Sequence, residues 1–331
     1  MAKSTIKQEI VAPAGRVELE PGACSSHFQR SLPLPWRLAE STENPAFAHP
    51  AELDFARILT FYRIRWVYEP TTFALSWRSD GRPSEMFTPD FYLPDHRLYI
   101  ELTTMRQPLV TRKNRKLRQM RAIYPTVQIK LLYRRDFHRL VDAYRIGERG
   151  PKVGHVLSPL FSEGTIADRI DGMAEEIGST AAGQKLLVLI ASDGAMTFGR
   201  EMTAALVTHG VELDVDQIRQ TRFRTAGGVQ CVRVHKQPAM KVEDRRVLLL
   251  TDIVSTGMSL GYLMTWLRAH GAQTINVCTL LDRRDARLIN VPIAYAGFAA
   301  PNELIAGFGM HLRCQFGDLP HITRVSLESP R

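Results

Sequence analysis

The chain has 331 residues, of which 44% are hydrophobic, with a formal net charge of +9 and four cysteines. That length suits two domains, each able to bury an ordinary core. No apolar run reaches the roughly 20 residues a membrane helix needs. Cys24, Cys231, Cys278 and Cys314 form no C-x-x-C pair, so a zinc site and a disulfide framework are excluded. A reduced, cytoplasmic protein is expected, and the basic excess suits a polyanionic partner.

Residues 1–45 are rich in Pro, Ser, Gly and charge without a sustained period, and read as a flexible arm. From Ala51 the pattern becomes A-E-L-D-F-A-R-I-L-T-F-Y. Leu53, Ala56, Leu59 and Phe61 or Tyr62 then approximate one helical face, with Glu52 and Asp54 near its start. Two strand-like segments follow, W-V-Y-E-P and F-A-L-S-W, then an acid-centred strand between prolines, F-T-P-D-F-Y-L-P. In L-Y-I-E-L-T, Leu98, Ile100 and Leu102 share one face and Tyr99, Glu101 and Thr103 the other. Asp90 and Glu101 thus meet at one end of a small sheet, where each raises the other's pKa unless a divalent cation such as Mg2+ lies between them.

This constellation resembles the PD-(D/E)XK nucleases over about 85 residues. The resemblance implies metal ligation by Asp90, Glu101 and the helix acid Glu52. It also implies a lysine two residues beyond Glu101, where this chain has Thr103. A hydroxyl cannot replace an ammonium that orients water or balances phosphate charge. The next helix, expected to be capped by Thr111 and opening R-K-N-R-K-L-R-Q-M-R, offers two readings. Lys113 or Lys116 reaches back to the acids, or the helix is simply a solvated basic surface. Between residues 97 and 152 there are fifteen Lys or Arg against four acids. Arg112, Lys113, Arg115 and Lys116 are therefore candidates for binding a DNA or RNA backbone.

Residues 146–162 have the Gly and Pro content of a linker, and Ser162 can cap the helix that follows. Leu186 to Ile190 and Val247 to Leu250 are continuous apolar runs, as in parallel strands buried on both faces. The second leads into T-D-I-V-S-T-G-M-S-L, placing Asp252 near a strand end. Ser255, Thr256, Gly257, Met258 and Ser259 then form a turn before a helix, a natural phosphate site.

The stretch resembles the signature of type I phosphoribosyltransferases, and the similarity to the hypoxanthine-guanine branch runs over nearly half the chain. It implies phosphoribosyl pyrophosphate (PRPP) or a purine nucleotide as ligand and Mg2+ as cofactor, with Asp252 on the ribose and metal and the turn on the 5′-phosphate. Asp193 and Gly194 would lie at the pyrophosphate loop, Arg283 and Tyr295 at the base. The loop of residues 219–228 would be the mobile loop, bringing Arg222 and Arg224 to phosphates. Several positions depart from the family: Thr251 and Ser255 replace acids, Asp193 a lysine, Asn302 a metal-binding acid and Gly317 an arginine.

The expected fold is α/β in two domains. Residues 46–145 would form a small restriction-endonuclease-like mixed sheet, and residues 163–331 a parallel phosphoribosyltransferase sheet with a small hood. The leading expectation is a PRPP- or purine-nucleotide-binding domain that controls a metal-dependent, nuclease-like domain. Alternatives are an active hypoxanthine/guanine-type transferase and a non-catalytic nucleic-acid-binding regulator that senses PRPP. A homo-oligomer is compatible with each.

Overall fold

In a computed structural model the described residues are 9–11, 45–103, 107–134, 136–137, 140–141, 153–181, 183–224, 230–301, 303–312 and 315–327. The chain divides into two compact units, Met1–Arg145 and Ile146–Arg331. Among the described residues no helix is long and apolar enough to cross a membrane.

The first unit carries two small sheets. In one, β3 (Thr71–Trp77) lies between β1 (Glu9–Val11), parallel to it, and β4 (Pro83–Phe87), antiparallel. The other has the order β2 (Val67–Tyr68), β5 (Phe91–Leu93), β6 (Leu98–Thr103), β7 (Gln128–Tyr133). The pair β5–β6 is antiparallel, whereas β6 and β7 are parallel and joined through α2 (Gln107–Ile123). A parallel pair requires such a crossover. Leu117, Met120 and Tyr124 are buried against Phe73, Leu75, Phe87 and Ile129, which fixes the register of α2 over the sheets. The opening helix, α1 (Pro50–Phe61), has Pro at its start and a capping box between His49 and Glu52, which satisfies its first N–H groups.

Some expectations are corrected. The helix α2 starts at Gln107, so Thr111 lies within it and does not cap it. Asp90 sits in a bend between β4 and β5, not within a strand. Ile100, Glu101, Leu102 and Thr103 are all buried, because β6 is flanked by two strands and covered on both faces. The two faces of its alternation both end in buried residues.

The second unit is built on a five-stranded parallel sheet in the order β10 (Leu213–Gln217), β9 (Leu186–Ile190), β13 (Arg246–Val254), β14 (Thr274–Asp282), β15 (Tyr295–Ala299). Successive residues of β9 and β13 feed opposite clusters. Leu186, Val188, Ile190, Leu248 and Leu250 pack with Ile166, Phe198 and Met202 of α3 (Glu163–Ala181) and α4 (Met196–Thr208). Leu187, Leu189, Val247 and Leu249 pack with Leu260, Leu263, Met264 and Leu267 of α5 (Met258–Ala269). Burial on both faces explains the unbroken apolar runs. A separate hairpin joins β11 (Arg219–Arg224) to β12 (Gln230–Lys236). The third sheet has the order β16 (Ile305–Ala306), β17 (Ile322–Leu327), β8 (Val153–Phe161). The stretch read as a linker thus contains β8, paired antiparallel with β17.

Candidate functional site

Two polar clusters stand out, one in each unit. In the first, Asp90 precedes β5 and Glu101 lies on β6. Asp90 Oδ2 accepts the main-chain N–H of Leu102 at 2.6 Å, and the Asp90 N–H donates to Glu101 Oε2 at 3.3 Å. Lys113, from α2, places Nζ 2.5 Å from Glu101 Oε1 and donates to the Leu102 carbonyl at 2.7 Å. Burial raises the Asp90 carboxyl to about 7, with the Glu101 charge adding to the effect, while the Leu102 N–H and Lys113 oppose it. Glu101 is likewise raised by burial, against the pull of Lys113. Crowded, desolvated carboxylates of this kind favour a proton or a cation between them.

Thr103 is 1% exposed and its Oγ1 has no hydrogen-bond partner among the described residues. The ammonium that the nuclease resemblance expects on this strand is absent, and one from α2 lies on Glu101. Glu52 is near enough for its charge to raise Asp90, yet it is otherwise engaged. Its Oε2 accepts from Ala48 N at 2.9 Å, His49 N at 3.3 Å and the Tyr68 hydroxyl at 2.7 Å. The expectation of Glu52 as a third metal ligand is corrected accordingly: among the described residues no group of three or more His, Cys, Asp or Glu is placed to hold a metal ion. What remains is two carboxylates, which suits Mg2+, an ion that keeps several waters and takes one or two protein carboxylates.

The basic helix is less free than its charge suggests. Arg115 donates to Glu85 Oε1 at 2.8 Å, and Lys116 donates to the Met86 carbonyl at 2.8 Å while lying over the Phe87 ring. With Lys113 on Glu101, three of the four proposed backbone contacts already have partners. Arg112 is exposed.

In the second unit the chemistry gathers at the carboxyl ends of β9, β13 and β14. Asp252 is raised by burial, opposed by main-chain N–H groups and by the Thr251 and Ser192 hydroxyls. Ser192 Oγ donates to Asp252 Oδ1 at 3.3 Å and accepts the Ala195 N–H at 3.0 Å. Gly194 lies so close that a Cβ there would strike Asp252 Oδ2. Asp193, expected to face a phosphate, instead pairs with Arg219 at 2.7 Å.

The turn before α5 is sharply defined. Gly257 has φ +82°, and a Cβ there would come within 2.6 Å of the Ile289 carbonyl, so both conformation and space require glycine. From behind, Leu288 N and Ile289 N donate to the Thr256 carbonyl at 2.9 and 3.1 Å. Arg287 Nε donates to the Ser255 carbonyl at 3.0 Å, and its Nη2 pairs with the buried Asp282. On the outer side Gln220 accepts from Ser259 Oγ at 3.0 Å and donates to the Ser259 carbonyl at 2.9 Å. The first turn of α5 presents N–H groups that have no acceptor within the helix, as an anion site requires.

A family model for the phosphoribosyl transferase domain matches residues 159–311. The hypoxanthine-guanine phosphoribosyltransferase of Mycobacterium bovis is 31% identical over 176 residues, 51% of this chain and 86% of that protein. The chain belongs to the phosphoribosyltransferase family. A bifunctional protein TilS/HprT from Listeria monocytogenes serotype 4b (strain F2365) is 27% identical over 199 residues, 58% of this chain. The chain spans only 30% of that relative's length. A crystal structure of a hypoxanthine-guanine phosphoribosyltransferase from Bacillus anthracis is 25% identical, with a TM-score of 0.47, covering 52% of this chain and 98% of that one.

Within this phosphoribosyltransferase domain, Arg283 follows β14 at the carboxyl edge and donates to the Glu303 carbonyl at 2.8 Å. Tyr295 is corrected. It opens β15 opposite Cys278, four residues upstream of the Asp282–Ala299 pair, and lines a small cleft with Ile177, Leu186 and Thr274 at the amino ends of the strands. In a parallel sheet that is the wrong end for a base-stacking ring. Gly317 packs directly on the His311 ring, which fills the space an arginine would need. Asn302, Gly227, Gly228 and the side chains of Arg222 and Arg224 lie outside the described residues.

Ser192, Arg219, Gln220 and Arg287 were not anticipated. Each lies in or beside a stretch the sequence singles out, Ser192 next to Asp193, Arg219 and Gln220 at the start of residues 219–228, and Arg287 in the D-R-R-D-A-R run that follows β14, but no local pattern assigns them these contacts.

Proposed function

We propose that the phosphoribosyltransferase domain is a receptor for PRPP or a purine nucleotide, and that its occupancy controls a metal-dependent, nuclease-like activity of the first unit on nucleic acid. The observation that carries this reading is the convergence of Asp90, Glu101 and Lys113 from a bend, a strand and a helix, in a chain whose other site keeps a phosphate turn but has Thr251 and Ser255 in place of acids. Asp90 and Glu101 would hold Mg2+, and the raised carboxyls fit a cation there. When bound, the ion supplies charge neutralisation at a scissile phosphate. Lys113 holds Glu101 in place and supplies the ammonium absent at Thr103; Arg112 adds a contact to the phosphate backbone. The bifunctional name of the TilS/HprT relative supports a domain of this family serving within a two-function chain.

The test is cleavage of single- and double-stranded DNA and RNA by the full chain with Mg2+, alongside Asp90→Ala. Cleavage that disappears in the variant supports the reading, and an unaltered rate rejects the assignment of the site.

A second reading, a working transferase that makes a nucleoside monophosphate and pyrophosphate from a 6-oxopurine and PRPP, is favoured by the 31% identity to hypoxanthine-guanine enzymes. It requires base-dependent pyrophosphate release that vanishes in Asp252→Asn. Absence of release in the natural chain leaves the receptor.

A further inference from the structure

The anion-binding region of the second unit has two unequal halves. One is the turn of residues 255–259, with the N-terminal N–H groups of α5 and the hydroxyls of Thr256 and Ser259. It carries no acid, and Arg287 and Ile289 hold it open from behind. A phosphate group meets the N–H groups of the helix start there and no carboxylate.

The other half is the loop after β9 with Gly309, His311 and Gly317, where the chemistry is reversed. Asp193 puts a carboxylate on the loop, where Arg219 pairs with it at 2.7 Å in a solvent-exposed contact, the two side chains 71% and 39% exposed. Beneath the loop Gly194 lies against a second carboxylate, Asp252. The main chain of Gly309 closes over the Gly194 carbonyl and Thr197, leaving no room for a Cβ, and the His311 ring sits on Gly317. A pyrophosphate entering this half would have to break the Asp193–Arg219 pair and then stand beside the freed carboxylate. Like charges at such range are unfavourable unless an ion intervenes.

From this asymmetry we infer that the site selects a ligand with a single phosphate, a nucleoside 5′-monophosphate, discriminates against PRPP, and needs no divalent ion to bind it. This rests on the reading of the domain as a receptor and names its ligand class. The phosphate occupies the turn, the ribose lies near Asp252, and the Asp193–Arg219 pair stays intact as the wall where a diphosphate would otherwise go.

The test is calorimetry on the full chain with inosine and guanosine 5′-monophosphates, each in EDTA and in Mg2+, and with PRPP in Mg2+. The expected result is monophosphate binding of equal strength in both buffers, with PRPP weaker by about tenfold or more, equivalent to about 1.4 kcal/mol. Asp193→Lys should shift the ratio toward PRPP by about tenfold, and Asp193→Asn should shift it by less. The inference is overturned if PRPP binds as tightly as the monophosphates, if monophosphate binding requires Mg2+, or if Asp193→Lys leaves the ratio unchanged. Equal binding of both ligands would leave the receptor standing. Binding of neither would remove the receptor as well.

Discussion

Replacing Arg287 by alanine should damage the phosphate turn more than any change to the turn's own hydroxyls. Arg287 is 13% exposed and Asp282 7% exposed in their ion pair, and the same guanidinium donates to the Ser255 carbonyl. Truncation leaves Asp282 buried with Arg284 as its remaining ion-pair partner, at 2.9 Å, and that side chain is 81% exposed. Breaking a buried pair from one side costs about 3–5 kcal/mol, and the surviving exposed partner argues for the lower end, about 3 kcal/mol. For a unit of this size that is a fall of about 6–12 °C in Tm. Denaturation followed by hydrogen exchange in β13 and α5 measures the loss directly. The double variant Asp282→Asn with Arg287→Met removes both charges and should recover most of the stability while phosphate binding stays weak, because the Ser255 carbonyl is still unbraced. A loss in Arg287→Ala below about 1 kcal/mol, the size of an ordinary substitution, would refute the brace.

Other consequences can be checked independently. Lys113→Ala should reduce cleavage by about 100-fold or more, and adding Thr103→Lys in that background should restore part of it, as measured by initial rates. The Asp90 carboxyl, raised to about 7, keeps its proton in the folded state above the ordinary carboxylate value near 4. Its contribution to stability is therefore full below about pH 4 and lost as pH rises through about 7. Urea midpoints of the natural chain and Asp90→Asn should accordingly differ in slope over that interval. Glu52→Gln, which weakens a capping box, should cost about 1 kcal/mol without changing Mg2+ affinity by calorimetry. Tyr295→Phe, at the opposite end of the sheet from the phosphate turn, should leave nucleotide affinity unchanged.

The legible parts of the sequence were those where local pattern and local structure coincide. The apolar runs of β9 and β13 announced strands covered on both faces, and S-T-G-M-S announced a turn onto a helix, because glycine at 257 and the helix start are neighbours in the chain. Asp90, Glu101 and Lys113 were candidates by residue type, and the register of α2, set by Leu117, Met120 and Tyr124, puts the third against the second. What could not be read is what depends on distant partners. Glu52 is held by the Tyr68 hydroxyl and nearby main-chain N–H groups, and Asp193 is neutralised by Arg219, 26 positions on. Tyr295 failed as a base-stacking residue because chemical suitability says nothing about which end of a parallel strand a residue occupies. β8 was hidden because its Gly and Pro content resembles a linker, and its pairing with β17 joins residues more than 160 positions apart.

The most direct test of the account is the nucleic-acid cleavage rate of the full chain in Mg2+, measured as a purine nucleoside monophosphate is raised through saturation of its calorimetric binding curve. The account predicts a rate that changes with the same half-saturation as binding, and a change that is lost in Ser259→Ala at nucleotide concentrations that saturate only the natural chain. A rate that is constant from zero to full occupancy would contradict it, leaving two sites that share a chain without communicating.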